Sequence, residues 1–185
     1  GVAREEYFQK EENRPVIVGF GPAGMFSGLL LARAGLRPII YERGQAVEKR
    51  QEAVRRLWTE GKLDPHSNPQ FGEGGAGTFS DGKLNTLVKD SCGRSHFVLE
   101  TFVHYGAKEE ILYDAKPHVG TDALISIVAS LRKEIESLGG EVRFESQYHF
   151  EKHEKRPLII AIGHSARDSF RELHTLGYPM TAKDF

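Results

Sequence analysis

Apolar and polar positions run along this chain in two rhythms. Val16, Ile17 and Val18 form an unbroken apolar run ending on Gly19, the pattern of a short strand covered on both faces in a parallel sheet. Beyond it a helix is predicted over 22–34, with Pro22 in its first turn and Gly35 just past its end. Gly24, Gly28 and Ala32 recur every fourth position, which leaves one face of that helix nearly bare and able to lie close against a sheet. A second strand is predicted over 38–42, and the interval matches the roughly thirty residues of one βαβ unit.

Downstream the two rhythms continue to alternate. A charged amphipathic helix is predicted over 45–58, stopped by Gly61, and after a glycine-rich stretch come a helix over 95–104 and a short turn at 109–112. Leu124, Val128, Leu131 and Ile135 mark the apolar stripe of a long helix over 121–138, with Thr121 as its cap and Gly139-Gly140 as its stop. Strands over 142–144 and 158–162 and a helix over 165–176 complete the series. Strands alternating with helices predict an α/β fold, a Rossmann-like open parallel sheet with flanking helices. Residues 1–14, charged and weakly periodic, are expected to be an arm or linker, which leaves 15–185 as the domain.

Composition narrows what this domain can do. With 185 residues and 39% hydrophobic side chains the chain can bury a sizeable core. Its 25 basic and 26 acidic side chains leave a net charge of -1, so no global field draws it to nucleic acid or to an anionic membrane. The uncharged run from 16 to 32 is interrupted by Pro22 and by four glycines, so it reads as a buried strand and helix and not as a membrane span. Cys92 is the single cysteine, which excludes an internal disulfide and a paired-thiol redox motif and suits a reducing, cytoplasmic setting. The chain starts on Gly1 and stops at Phe185 without a capping signal, so a longer protein is expected around it.

The strongest chemical signal is "VIVGFGPAG", which puts Gly19, Gly21 and Gly24 in G-x-G-x-x-G order between a predicted strand and a predicted helix. Gly19 permits the tight turn, Gly21 lets main chain approach a pyrophosphate, and Gly24 allows close helix-to-strand packing. The N–H groups near Pro22 and Ala23 then face the anion with the helix dipole behind them. Glu42 ends the next predicted strand, where a carboxylate can accept hydrogen bonds from both hydroxyls of an adenosine ribose and would repel a 2′-phosphate. FAD or NAD is expected over NADP. The alternative is a glycine-rich turn needed only for packing.

A second glycine-rich stretch, "FGEGGAGTFSDGKL" over 71–84, sets Phe71 and Phe79 among five glycines. Successive main-chain N–H groups in such turns make an anion nest, and the absent Cβ atoms let a flat ring lie against the chain. Phe71 and Phe79 are expected to pin the loop while Gly74, Gly75, Ala76 and Gly77 face a ligand. The plainer reading is a mobile surface loop.

Four ordered segments, "VIVGFGPAGMFSGLLLARAGLRPIIYERG", "NPQFGEGGAGTFSDGKLNTLVKD", "KPHVGTDAL" and "IIAIGHSARDSF", together resemble the FAD-dependent dehydrogenases of uncharacterised substrate, within the glutathione-reductase-like class of flavoproteins. The resemblance spans most of residues 15–185. It implies FAD, with its pyrophosphate on Gly19, Phe20, Gly21, Pro22, Ala23 and Gly24 and its adenosine ribose on Glu42, with Arg43 alongside. It places Arg50 near the phosphates. It sets Gly74, Gly75, Ala76, Gly77, Thr78, Phe79, Ser80, Asp81 and Lys83 around the diphosphate, ribityl chain and isoalloxazine, and returns Gly163, His164 and Ser165 to the cofactor. His164 and Lys83 are the weak catalytic candidates. The implied activity is that of a flavin oxidoreductase, with hydride passing through the flavin N5 to or from a small-molecule substrate or a nicotinamide, NADH or NADPH.

Two features depart from that class. It usually carries a β-meander of about two dozen residues or more between the third and fourth strands, but only 145–157 intervenes here, and 146–156 is expected to be the least ordered internal segment. The second is that the chain ends before the place where the class is expected to carry its substrate domain and its later glycine-aspartate motif. The rival readings are an NAD-binding domain without flavin and a non-catalytic or RNA-modifying flavoprotein. Cys92 near Arg94 reads as a plain loop cysteine or a reactive thiol, and His149, Glu151 and His153 as a solvated connection or metal ligands, with the solvated reading preferred and no metal expected.

Overall fold

The sheet is built outward from its most apolar strand. In the computed structural model, which describes residues 7–80, 82–84, 90–114 and 117–182, β1 (Val16–Val18) is wholly buried and pairs in parallel with a neighbour on each side. β2 (Ile39–Tyr41) lies in register with it, Ile17 opposite Ile40, and β4 (Leu158–Ile160) flanks its other edge with Ile17 opposite Ile159. β3 (Glu141–Arg143) adds to the far side of β2, which gives the order β3-β2-β1-β4 with every pairing parallel. This is the Rossmann-like α/β fold that the alternating pattern predicts.

Helices and turns cover both faces. α1 (Pro22–Arg33) and α4 (Thr121–Ser137) pack on one face, where Ile17, Leu29, Ile40, Ile127, Leu131 and Ile135 form the main core with flanking residues of α3 (Arg94–His104). Burying each such side chain contributes roughly 1.5–3 kcal/mol. The bare face of α1 is used as expected: a Cβ at Gly28 would lie 2.7 Å from Ile40 Cδ1 and 3.3 Å from Ile135 Cδ1, so the helix sits close enough that an added methyl would make those side-chain ends shift. α2 (Val47–Glu60) packs beside α4, and α5 (Arg167–Thr175) contributes Leu173 to a second core on the opposite face.

That second core corrects the expectation for the connection after β3. Residues 146–156 are anchored by two side chains: Tyr148 and Phe150 are buried against Val16, Val18 and Leu173, and the Tyr148 ring meets Tyr41 at 5.1 Å. The Tyr148 hydroxyl donates to Glu154 at 2.6 Å, and Arg156 holds the same carboxylate at 3.0 Å. Two aromatic anchors and one ion pair let a short segment do the covering that a longer meander would do. His149 is exposed and faces Glu172, and among the described residues no group of three His, Cys, Asp or Glu side chains could hold a metal ion.

Three smaller differences have local causes. α2 runs two residues later at each end than 45–58: the Val47 N–H at its start is taken by the Glu73 carboxylate at 2.7 Å, and at its end Gly61 takes the left-handed conformation (φ 68°) and returns its N–H to Leu57. Thr121 is not the cap of α4. Gly120 occupies that place with a φ of 80°, and the Thr121 hydroxyl donates to the Ser80 carbonyl at 2.9 Å. The arm is moored where it enters the domain, since Arg14 is buried and donates to the Arg37 carbonyl at 2.7 Å and to Glu141 at 3.3 Å. Among the described residues no helix is long and apolar enough to cross a membrane.

Candidate functional site

The site begins where β1 runs out. Gly19 (φ 99°) donates its N–H to the Tyr41 carbonyl at 2.8 Å, and a Cβ there would run into the Ala161 carbonyl. Gly24 lies beneath the turn, where a Cβ would strike the Gly19 carbonyl. Between them Gly21 is the N-cap of α1 and supplies no side-chain cap, and Pro22 follows at the first helical position. The first-turn N–H groups of α1 therefore have no partner within the helix and no capping oxygen, and they carry the positive end of its dipole. A bare helix start of this length is suited to an anion.

Glu42 ties this turn to its neighbours. It is 5% exposed, and its Oε2 accepts the Phe20 N–H at 2.8 Å while Oε1 accepts Gly44 N–H at 2.8 Å and Gly72 N–H at 3.2 Å. An ionised carboxylate offers about four acceptor sites, so three are used on main chain and one remains for a hydroxyl of a ligand. The expectation that Glu42 can serve both hydroxyls of a ribose is thereby narrowed to one, unless a main-chain bond gives way.

The glycine-rich stretch packs main chain on main chain. A Cβ at Gly44 would lie 2.5 Å from Gly72 Cα, the Gly74 N–H donates to the Phe20 carbonyl at 2.8 Å, and a Cβ at Gly75 would lie 3.0 Å from Gly21 Cα. Phe79 packs against the main core with the Arg50 guanidinium 4.7 Å over its ring, and Phe71 lies under Arg43 at 5.0 Å. The aromatic anchors act through arginines as well as through the core.

Arg50 is placed differently from its expectation beside a phosphate. It is fully buried and lines no part of the cleft: it donates to the Asn68 carbonyl at 2.9 and 3.0 Å, to Glu73 at 2.6 Å and to Gly72 at 3.4 Å. Its fork is spent on holding the loop. Burial pushes it down to about 10, against the pull of Glu42 and Glu73, so the guanidinium keeps its charge at neutral pH. Glu73, also fully buried, accepts the Val47 N–H at the start of α2 at 2.7 Å and the Arg132 Nε at 2.8 Å. Burial pushes its carboxyl up to about 7, opposed by the Val47 N–H and by Arg132.

These elements wall a cleft of about 480 Å³ over the carboxyl ends of β1, β2 and β4. Of the residues singled out in the sequence, Gly19, Phe20, Gly21, Pro22, Ala23, Glu42, Arg43, Gly75, Ala76, Gly77, Gly163, His164 and Ser165 line it. Arg43 is fixed at the rim by Asp168 at 2.9 Å and Ser169 at 3.0 Å. Burial raises the Asp168 carboxyl, but the Arg43 hydrogen bond, the Arg43 charge and the Ser169 and Asp168 N–H groups together outweigh it, and the group is held below its usual range.

Gly74, Thr78, Ser80 and Lys83 face a second, smaller hollow of about 100 Å³ with Met25, Phe26 and Phe102, and Pro22 and Gly77 belong to both. His164 and Lys83, the two catalytic candidates, thus line different hollows. Asp81 lies outside the described residues. Sequence reasoning missed Gln70, Gly72, Ser146, Gln147, Tyr148 and Phe170 as lining residues, and it missed Glu73 altogether. An acid set among glycines was the available signal for Glu73; no spacing marks Gln147.

The cleft can take an extended ligand with an anionic middle at the α1 start, a hydroxyl at Glu42 and a flat group along Gly75, Ala76 and Gly77. No known protein-family profile matches the chain. It is 49% identical over 187 residues to an uncharacterized protein of Clostridium beijerinckii, across 93% of this chain and 35% of that protein, so it spans little more than a third of the relative's length. Among solved structures it is similar to THI4 of Thermovibrio ammonificans with a TM-score of 0.40 and 18% identity, covering 77% of this chain and 40% of that one.

Proposed function

We propose that this chain is the FAD-binding part of a flavin-dependent oxidoreductase. The observation that carries the reading is the uncapped, side-chain-free start of α1 at Gly21, opening on a cleft whose neighbouring strand ends in the buried acid Glu42. A pyrophosphate would accept from the first-turn N–H groups, and the free acceptor site of Glu42 would take one ribose hydroxyl. Gly75, Ala76 and Gly77 present main chain to the distal half, with His164 across the cleft as a donor. The bound flavin would supply hydride chemistry at N5, while the protein orients it and keeps the pyrophosphate neutralised. Substrate, electron donor and the rest of the enzyme belong to a longer protein in this reading, and the single cysteine supports a reducing, cytoplasmic setting.

Titration of the purified chain with FAD and, separately, with NAD tests the proposal. Saturable FAD binding that is lost in Gly21→Val is the expected result. Binding of NAD with no affinity for FAD would replace it with the plain nicotinamide reading, and binding of neither by the folded chain would end it.

A further inference from the structure

Glu73 is a fully buried acid that the proposed ligand never touches, yet it sits at the hinge of the wall that the ligand would lie against. Its flanking residues do the walling. Gly72 donates to Glu42 and Gly74 to the Phe20 carbonyl, which brings Gly75 against Gly21. The Glu73 main chain is held too, its N–H on the Gln45 carbonyl at 3.1 Å and its carbonyl on Arg50 at 2.6 Å. Its carboxylate then bridges two helices, through the Val47 N–H of α2 and Arg132 of α4.

We infer that Glu73 is a positioning residue whose ionised carboxylate clamps the glycine-rich loop onto the α1 start, so that dinucleotide occupancy of the cleft is linked to its loss of a proton. The inference rests on the dinucleotide reading of the cleft. The charged groups facing Glu73 are Arg132 from α4 and Glu48 and Arg50 from α2, and Arg50 in turn feels Glu42. Arg132 is shared, since it also donates to Glu48 at 2.6 Å. Protonation weakens the Arg132 and Val47 contacts and leaves Arg132 to Glu48, which frees the carboxyl end of the clamp. Burial brings this protonation into the neutral range.

The linkage has a definite sign. A ligand that needs the clamped loop binds more tightly as pH rises through the Glu73 titration, and it drives a proton off the protein when it binds.

Calorimetric titration of the chain with FAD, between pH 5.5 and 8.5 in buffers of different ionisation enthalpy, reads both quantities; the internal pyrophosphate of FAD keeps its charge across that range. The expected result is an affinity rising about tenfold, within the range of ordinary linked sites, with fractional proton release centred near neutral pH. Glu73→Gln flattens the profile, and Arg132→Met moves its midpoint to higher pH; the wild-type profile carries the test alone if the first variant does not fold. FAD binding with a flat profile, with proton uptake, or with the slope retained in Glu73→Gln overturns the clamp and leaves the dinucleotide reading standing. No FAD binding by the folded chain at any pH takes down both.

Discussion

The Phe20 N–H donates to Glu42 Oε2 at 2.8 Å, joining the glycine turn after β1 to the acid that ends β2 across 22 residues of chain. The same carboxylate reaches the glycine-rich loop through Gly72, so one buried side chain holds three segments of main chain in register. Glu42→Gln replaces one acceptor oxygen by a donor facing N–H groups. It should destabilise the fold by roughly 2–4 kcal/mol, read from denaturant unfolding, with nucleotide affinity falling as well.

Gly21 and Gly24 should separate binding from folding. A Cβ at Gly21 meets nothing closer than Gly75 Cα at 3.6 Å, and its φ of -77° is open to any residue. Gly21→Ala should leave stability within about 0.5 kcal/mol while weakening dinucleotide binding. Gly24→Ala forces a Cβ against the Gly19 carbonyl and should cost roughly 1–3 kcal/mol of stability. Parallel thermal melts and ligand titrations of the two variants check the contrast.

Arg50→Lys should be far from conservative. A lysine cannot supply the fork that reaches the Asn68, Gly72 and Glu73 carbonyls, and it leaves buried acceptors short of a donor. A loss of roughly 3–5 kcal/mol is expected, with faster amide exchange concentrated in residues 68–75.

Stability itself should fall with rising pH over one window. Glu73 has a higher affinity for a proton in the folded chain, near 7, than in the unfolded chain, near 4.5. Between those values the folded state binds more protons, so unfolding free energy declines as pH rises from 4.5 to 7 and then levels off, by up to roughly 3 kcal/mol. Glu154 acts in the opposite sense and elsewhere: Arg156 and Tyr148 hold it down to about 2 against burial, so its contribution is complete above 4.5 and is lost as pH falls toward 2. Unfolding curves from pH 4.5 to 8 on the wild type and Glu73→Gln isolate the first effect, since the slope should vanish in the variant.

The short connection after β3 offers a final check. Phe150→Ala should cost roughly 3–5 kcal/mol, because the ring is buried between β1 and α5. A neutral effect in equilibrium unfolding would mean that the segment does not pack.

The order of elements was legible because it depends on local rules. An apolar run ending on Gly19, a helix with a bare stripe at Gly24, Gly28 and Ala32, and an apolar stripe through Leu124, Val128, Leu131 and Ile135 each bury one way only, and the strand–helix alternation then leaves a parallel sheet. The glycine turn was legible for the same reason, since its chemistry is confined to residues 19–24 and the helix that they open. Which long side chains serve that turn was not legible, because a guanidinium or carboxylate reaches several Å in directions that spacing does not record. Arg50 could have faced a phosphate and instead holds carbonyls; Glu73 sits among glycines with no periodic mark and becomes the buried bridge between α2 and α4. Thr121 lost its capping role to Gly120 for a neighbouring reason, the presence of the Ser80 carbonyl brought near by the folded loop. Backbone preference is written residue by residue along the chain, whereas the partner of a buried charge exists only after distant segments have closed around it.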